Sequence, residues 1–192
     1  MTKARLHPSL LEFNGAMGDM VFKKRGKKVY VSIKPKGPGE PSEAQLAQRK
    51  HFKKAVNYTN AILADETSRA FYEDLAQRRE TTARALCMGD FLNAPTIEDL
   101  DLSEYRGKIG DQILITTNDD IGVVRVNVTL AEDGIVLEKG PAVELGAGSG
   151  SWAYTATTLV SPGVKISIEA EAYDRPGHRT VVSTNPTVGM TH

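Results

Sequence analysis

The alternation of apolar and polar residues changes character along the chain. Across residues 17–33 it has a period of two around a central "RG": Val21 and Phe22 precede it, and Val29, Val31 and Ile33 follow. The pattern predicts a hairpin over 21–33 that turns at Arg25-Gly26, glycine supplying the positive φ that such turns need. Lys23, Lys24, Lys27 and Lys28 flank the tip. A targeting signal or a nucleic-acid-binding arm has no need to alternate, whereas a hairpin with one buried face must. The breaker-rich "PKGPGEP" of 35–41 then separates this segment from a helical one. Ser42 and Gln45 have capping-box spacing, and Glu43 falls in the first turn, where negative charge suits the helix dipole. Phe52, Val56, Thr59 and Leu63 form one apolar stripe, with Arg49, Lys50, Lys53 and Lys54 mostly off it. This helix is expected to end near Ala64. Asp65 or Thr67 can cap a second one, and a third runs near 82–92 until "NAP" at 93–95 stops it.

From Ile97 the texture changes again. Residues 96–107 read as an acidic linker rich in turn residues. Segments of period two follow at 112–117, 122–131, 134–140, 152–158, 164–173 and 179–184, separated by short Gly, Asp and Pro clusters. Val124, Val126, Val128 and Leu130 alternate with Arg125, Asn127 and Thr129 in the clearest of them. Six or seven strands at this spacing predict an antiparallel β-sandwich. The expected fold is α+β: a basic hairpin-plus-helices module over 1–95, the linker 96–107, and a sandwich over 108–192 able to fold alone.

The motifs "NDDIGVVRVNVTL", "SWAYTAT" and "EAEAYDRPGH" resemble those of bacterial immunoglobulin-like domains, with His178 where such domains usually carry Asn. The segments "GAMGDMVFKKRGKKVYVSIKPK" and "PSEAQLAQRKHFKKA" resemble a bacterial N-terminal module that precedes such domains. The resemblance covers nearly the whole chain. It implies an immunoglobulin-like sandwich and no particular activity.

Charge sharpens the division. The chain has no net charge, yet residues 1–95 hold 17 Lys/Arg against 10 Asp/Glu (+7), and residues 96–192 hold 7 against 14 (−7). Such a split lets copies attract one another head to tail, with acids of the second half, such as Glu169 and Glu171, meeting the basic module. The N-terminus has no continuous apolar stretch of the kind a secretory signal needs. No run approaches the ~18–20 apolar residues that cross a bilayer. The expected location is cytoplasmic or within an assembled particle.

The candidate chemistry is sparse. Cys87 is the sole cysteine, which excludes an intrachain disulfide, and on a helix it reads as a small buried side chain. His7, His51, His178 and His192 lack metal-ligand spacing. The glycine-rich "GAGSGS" of 146–151 precedes a strand, not the helix that a phosphate loop requires. Asp119, Asp120 and Asp174 could converge at one end of the sandwich; such a trio either binds calcium or bonds its own turns. Trp152 and Tyr154 share a strand face and are expected in the core. No catalytic constellation, cofactor site, metal site or small-molecule substrate is evident. The sequence therefore favours a non-enzymatic structural or protein-interaction protein of a bacterial or phage-like assembly, with a protein partner or self-association. The alternative is nucleic-acid binding. Either role would use Lys23, Lys24, Arg25, Lys27, Lys28, Arg49, Lys50, Lys53 and Lys54 as its surface.

Overall fold

The computed structural model describes residues 15–25, 28–34 and 39–189. Among the described residues, three helices and eleven strands in three antiparallel sheets make a mixed α+β chain. It divides into two compact units, residues 1–47 and 48–192.

The first unit contains a three-stranded sheet of β1 (Gly15–Met17), β2 (Met20–Arg25) and β3 (Lys28–Ile33), in that order. The hairpin is present, with Phe22 opposite Val31 and Lys23 opposite Tyr30. Arg25 pairs with Lys28, so Arg25 belongs to β2 and is not a turn residue; Gly26, the other residue of the expected turn, lies outside the described residues. Cross-strand partners share a face, so Met17, Met20, Phe22, Val31 and Ile33 lie together on one side. That side was expected to be buried. Phe22 is, but Met17, Met20, Val31 and Ile33 are exposed, Ile33 at 80%.

The first turn of α1 (Glu43–Ala64) closes this unit. Its capping box forms as predicted: the Ser42 amide donates to Gln45 Oε1 (3.1 Å) and the Gln45 amide to Ser42 Oγ (3.3 Å). The packed face of α1 keeps Val56, Thr59 and Leu63 of the expected stripe, with Phe52 departing from it. Ala55 and Thr59 are buried, whereas Phe52 is half-exposed. The neighbouring aromatic ring selects this face, as described below. Helix α2 (Glu66–Arg78) is capped by Asp65, which accepts from the Ser68 amide (2.8 Å). Thr82 caps α3 (Ala83–Leu92), accepting from the Ala85 amide (3.1 Å).

Two four-stranded sheets follow. One has the order β4 (Thr96–Asp101), β5 (Gln112–Asn118), β9 (Ser151–Thr155), β8 (Val143–Glu144). The other has the order β11 (Arg179–Thr184), β10 (Ser167–Tyr173), β6 (Arg125–Glu132), β7 (Ile135–Pro141). Alternate residues of both sheets fill one core: Ile113 and Ile115 of β5, Val126, Val128 and Leu130 of β6, Trp152 and Tyr154 of β9, and Ile168 of β10. A Cβ on Gly140 of β7 would stand 3.1 Å from Tyr154 Cε2, which shows how closely the sheets approach.

The segment expected to be a linker is part of this structure. Thr96–Asp101 is the edge strand β4, paired to β5, and Tyr105 is buried in the shared core. Asp111 fixes the turn between them, accepting from the amides of Arg106 (2.7 Å) and Lys108 (2.9 Å). The division between compact units therefore falls at 47/48 and not across 96–107.

Glu171 also departs from expectation. It lies on the side of β10 opposite Ala170 and Ala172, yet is only 2% exposed. Its carboxylate bridges Lys139 of β7 (3.0 Å) and Arg179 of β11 (3.0 Å), both about half-exposed. Burial alone would raise its pKa, but the Lys139 and Arg179 charges outweigh that and hold it below the ordinary value. Glu171 is thus not a free surface acid. Glu171→Ala should lower stability by roughly 1–3 kcal/mol at pH 7 by leaving two cations unpaired. A depressed carboxylate pKa stabilises above the unfolded value and loses that contribution as pH falls through the folded one. Chemical unfolding should therefore show the difference between wild type and Glu171→Ala shrinking below about pH 4.

Candidate functional site

The site lies within the second unit, where α2 and α3 meet one end of the two-sheet body. Three loops converge there, joining β5 to β6, β8 to β9 and β10 to β11. The helices are seated on them by specific contacts. Arg79 donates to the carbonyl of Asp120 (2.6 Å), and Asn93 Nδ2 donates to its carboxylate (2.5 Å). Thr180 Oγ1 donates to the carbonyl of Pro95 (2.5 Å), just where the chain leaves α3 for β4.

Phe91 of α3 joins these parts. Its ring lies 4.9 Å from Tyr58 and 6.0 Å from His51, both on α1, and 5.4 Å edge-on from His178 of the β10–β11 loop. This explains which side of α1 is packed. His178 is held in turn by Asp174, which is 2% exposed. Asp174 Oδ1 accepts from the amides of Gly177 (2.8 Å) and His178 (2.6 Å), and Oδ2 meets His178 Nδ1 at 2.6 Å.

Behind Phe91 lies a second buried carboxylate, Asp90. Tyr72 of α2 donates its hydroxyl to Asp90 Oδ2 (2.5 Å), while Oδ1 is enclosed without a partner. Burial chiefly, with the charges of Asp119 and Asp174 adding to it, pushes Asp90 up to about 6 against the Tyr72 bond and the Arg175 charge, which pull it down. Cys87, one turn before Phe91, is fully buried, and burial raises its thiol pKa.

Beside this junction is a cavity of about 300 Å³. Phe71 and Arg175 line it, with the guanidinium carbon of Arg175 4.0 Å from the Phe71 ring centroid. Asp119, Glu144 and the 148–150 stretch of the glycine-rich loop also line it. Asp119 Oδ2 accepts from the amides of Ile121 (3.1 Å) and Gly122 (2.7 Å), while its Oδ1 has no partner. Gly150 has φ of +70°, and a Cβ there would stand 2.4 Å from the Thr117 carbonyl oxygen. Thr117 Oγ1 in turn accepts from the Trp152 indole (3.0 Å).

The expected surface residues are distributed between the units. Lys23, Lys24 and Lys28 are exposed on the first unit; Lys27 and the side chain of Arg25 lie outside the described residues. Arg49, Lys50, Lys53 and Lys54 are exposed on α1 within the second unit. Asp119, Asp120 and Asp174 do gather at one end, but their hydrogen bonds serve turns and the helix seat. Among the described residues, no group of three or more His, Cys, Asp or Glu is arranged to hold a metal ion. Nor is any helix among them long and apolar enough to cross a membrane. Sequence reasoning missed Phe71, Tyr72, Asp90, Phe91, Glu144 and Arg175 as site residues.

No family model matches the chain, and no curated protein matches it. One solved structure, CopC from Methylosinus trichosporium OB3b, is similar over 49% of this chain and 92% of its own, at 13% identity and a TM-score of 0.38. A likeness at that level carries no argument about function.

The junction yields a pH prediction. A carboxyl whose folded pKa is raised stabilises fully below its ordinary value of 3.8 and loses that contribution as pH rises through about 6. Asp90→Asn keeps an acceptor for Tyr72 and removes the titration. Its advantage over wild type in urea midpoint should grow between pH 4.5 and 7.5, reaching on the order of 2 kcal/mol.

Proposed function

We propose that this chain is a non-enzymatic, self-associating structural protein of a larger bacterial or phage-like assembly, of the two-module kind that its motifs resemble. Its two-sheet body is read as immunoglobulin-like. In that fold the strands, lettered in chain order, form sheets A-B-E-D and G-F-C, with C′ beside C in the variable type. Lettering β4 to β11 as A, B, C, C′, D, E, F and G turns the observed orders into A-B-E-D and G-F-C-C′. That correspondence supports the reading. The enclosure of Cys87 and the use of Asp174 and Asp120 as hydrogen-bonding supports favour a structural role over a catalytic one.

The observation that carries self-association is the placement of charge. Counted at the division between units, residues 1–47 carry 9 Lys/Arg against 4 Asp/Glu (+5), and residues 48–192 carry 15 against 20 (−5). The first unit offers Lys23 and Lys28 with Tyr30 on one face of its sheet and exposed Met17, Met20, Val31 and Ile33 on the other. The acids expected at Glu169 and Glu171 give way to the edge strand β4, where Glu98 and Asp99 are exposed. A basic sheet on one copy and an acidic edge on another are complementary. Nucleic acid is the second reading, favoured by exposed Tyr30 directly across from Lys23, because bases stack on aromatic rings in basic surroundings.

Light scattering tests this. Oligomers at 0.1 M salt should dissociate at 1 M, where the Debye length falls from ~10 Å to ~3 Å. Lys23→Glu with Lys24→Glu and Lys28→Glu, or Glu98→Lys with Asp99→Lys, should each dissociate them at low salt. Mixing the two variants should restore association. A monomer at every salt contradicts self-association. If that monomer also retards single-stranded DNA or RNA in a manner lost only in the lysine variant, the nucleic-acid reading replaces it.

A further inference from the structure

The cavity beside α2 has features that neither the helix seat nor the charged surfaces explain. Arg175 lines it with its guanidinium against Phe71 (4.0 Å), and among the described residues no carboxylate lies within 4.0 Å of that charge. Asp119 and Glu144 line the same space, and no cation lies within 4.0 Å of either among the described residues. One oxygen of Asp119 is held by two amides, and the other, though enclosed, has no hydrogen-bond partner. Ile121 and Val123 supply apolar wall between the charges.

Arg175 stacks on Phe71 and relieves Asp90, but it and the two carboxylates of the cavity stand apart around one small space. Closing the gap would pair them, whereas a ligand with both an anionic and a cationic group pairs each in place. A volume of about 300 Å³ is at the low end of ligand pockets, the size of one amino acid and not of a nucleotide. We propose that this cavity binds a small zwitterion, a free α-amino acid with an apolar side chain. Its carboxylate sits against Arg175, its ammonium against Glu144, and its side chain against Phe71 and Ile121. Arg175 suits the first role because its planar fork matches a carboxylate. The inference is independent of self-association, which uses residues elsewhere.

The chain carries its own reporter. Trp152 is the only tryptophan, its indole donates to Thr117 Oγ1 (3.0 Å), and Thr117 lines the cavity. Titrating the full chain with leucine, leucinamide and 4-methylpentanoate separates the contributions, since the second lacks the carboxylate and the third the amine. Leucine should change Trp152 emission saturably, and each half-ligand should bind at least tenfold more weakly. Arg175→Gln should weaken leucine binding about tenfold and leave leucinamide unchanged. Glu144→Gln should weaken leucine and leucinamide together and spare 4-methylpentanoate. No saturable change with leucine, or equal affinity for all three ligands in the unchanged protein, overturns the proposal. Retention of leucine binding in both variants, with their far-ultraviolet circular dichroism unaltered, overturns it as well.

Discussion

The bonds of Asp174 hold the second unit in its observed form. A carboxylate at 2% exposure is costly to bury unless its oxygens are occupied. Here two amides and an imidazole nitrogen occupy them, and all three come from the same five-residue turn. The turn is thereby fixed from within, and His178 projects as a rigid ring. Phe91 packs edge-on against that ring and carries Tyr58 on another side, so one turn orients α3 and, through it, α1. The Tyr72–Asp90 bond then ties α2 to α3 behind Phe91. Without a fixed turn at 174–178, the helices would lose this contact and rest on those of Asp120 and Pro95 with the two-sheet body.

This seat has a functional consequence. Loops are common places for recognition, because a rigid scaffold presents them together. In this chain the β5–β6 and β10–β11 loops receive helices, so that end of the two-sheet body is partly closed and keeps a small cavity in place of a broad open surface. The surfaces proposed for a larger partner are different ones, the basic three-stranded sheet and the acidic edge strand β4. Asp90 adds tension to the seat. Its enclosed charge works against folding at neutral pH, and only the Tyr72 hydroxyl and a nearby cation relieve it.

Much of the fold was legible because it is written locally. The Ser42–Gln45 box, the Asp65 cap and the stop before Pro95 each depend on residues within four positions, and each forms as the spacing predicts. Six strands were legible because alternation survives where one face meets a core. Strand β4 was not, for a physical reason. It is an edge strand with acids toward solvent, and a register shift between Ile97 and Asp99 breaks the alternation. Strand β8, two residues long, is too short to show a period. Glu171 obeyed the alternation and still misled, because Arg179 from the adjacent strand β11 and Lys139 of β7, reaching across β6, close over it. The site was the least legible part. Phe71, Glu144 and Arg175 meet only after folding, as do Tyr72 and Asp90, and none belongs to a motif of fixed spacing. The aspartates at 119, 120 and 174 were visible as a group, and their turn-forming role was one of the two readings that their type allows.

The central claim is that helices and two-sheet body form one cooperative unit seated on the 174–178 turn. It is tested most directly by urea unfolding of the full chain, followed at once by Trp152 fluorescence, which reports the body, and by circular dichroism at 222 nm, which reports the helices. Coincident transitions are expected in the wild type. Asp174→Ala should lower both midpoints together, by roughly 2–4 kcal/mol in unfolding free energy. Helices that melt at a lower urea concentration than the Trp152 transition in the wild type, or an Asp174→Ala variant that shifts only one of the two signals, would contradict the claim.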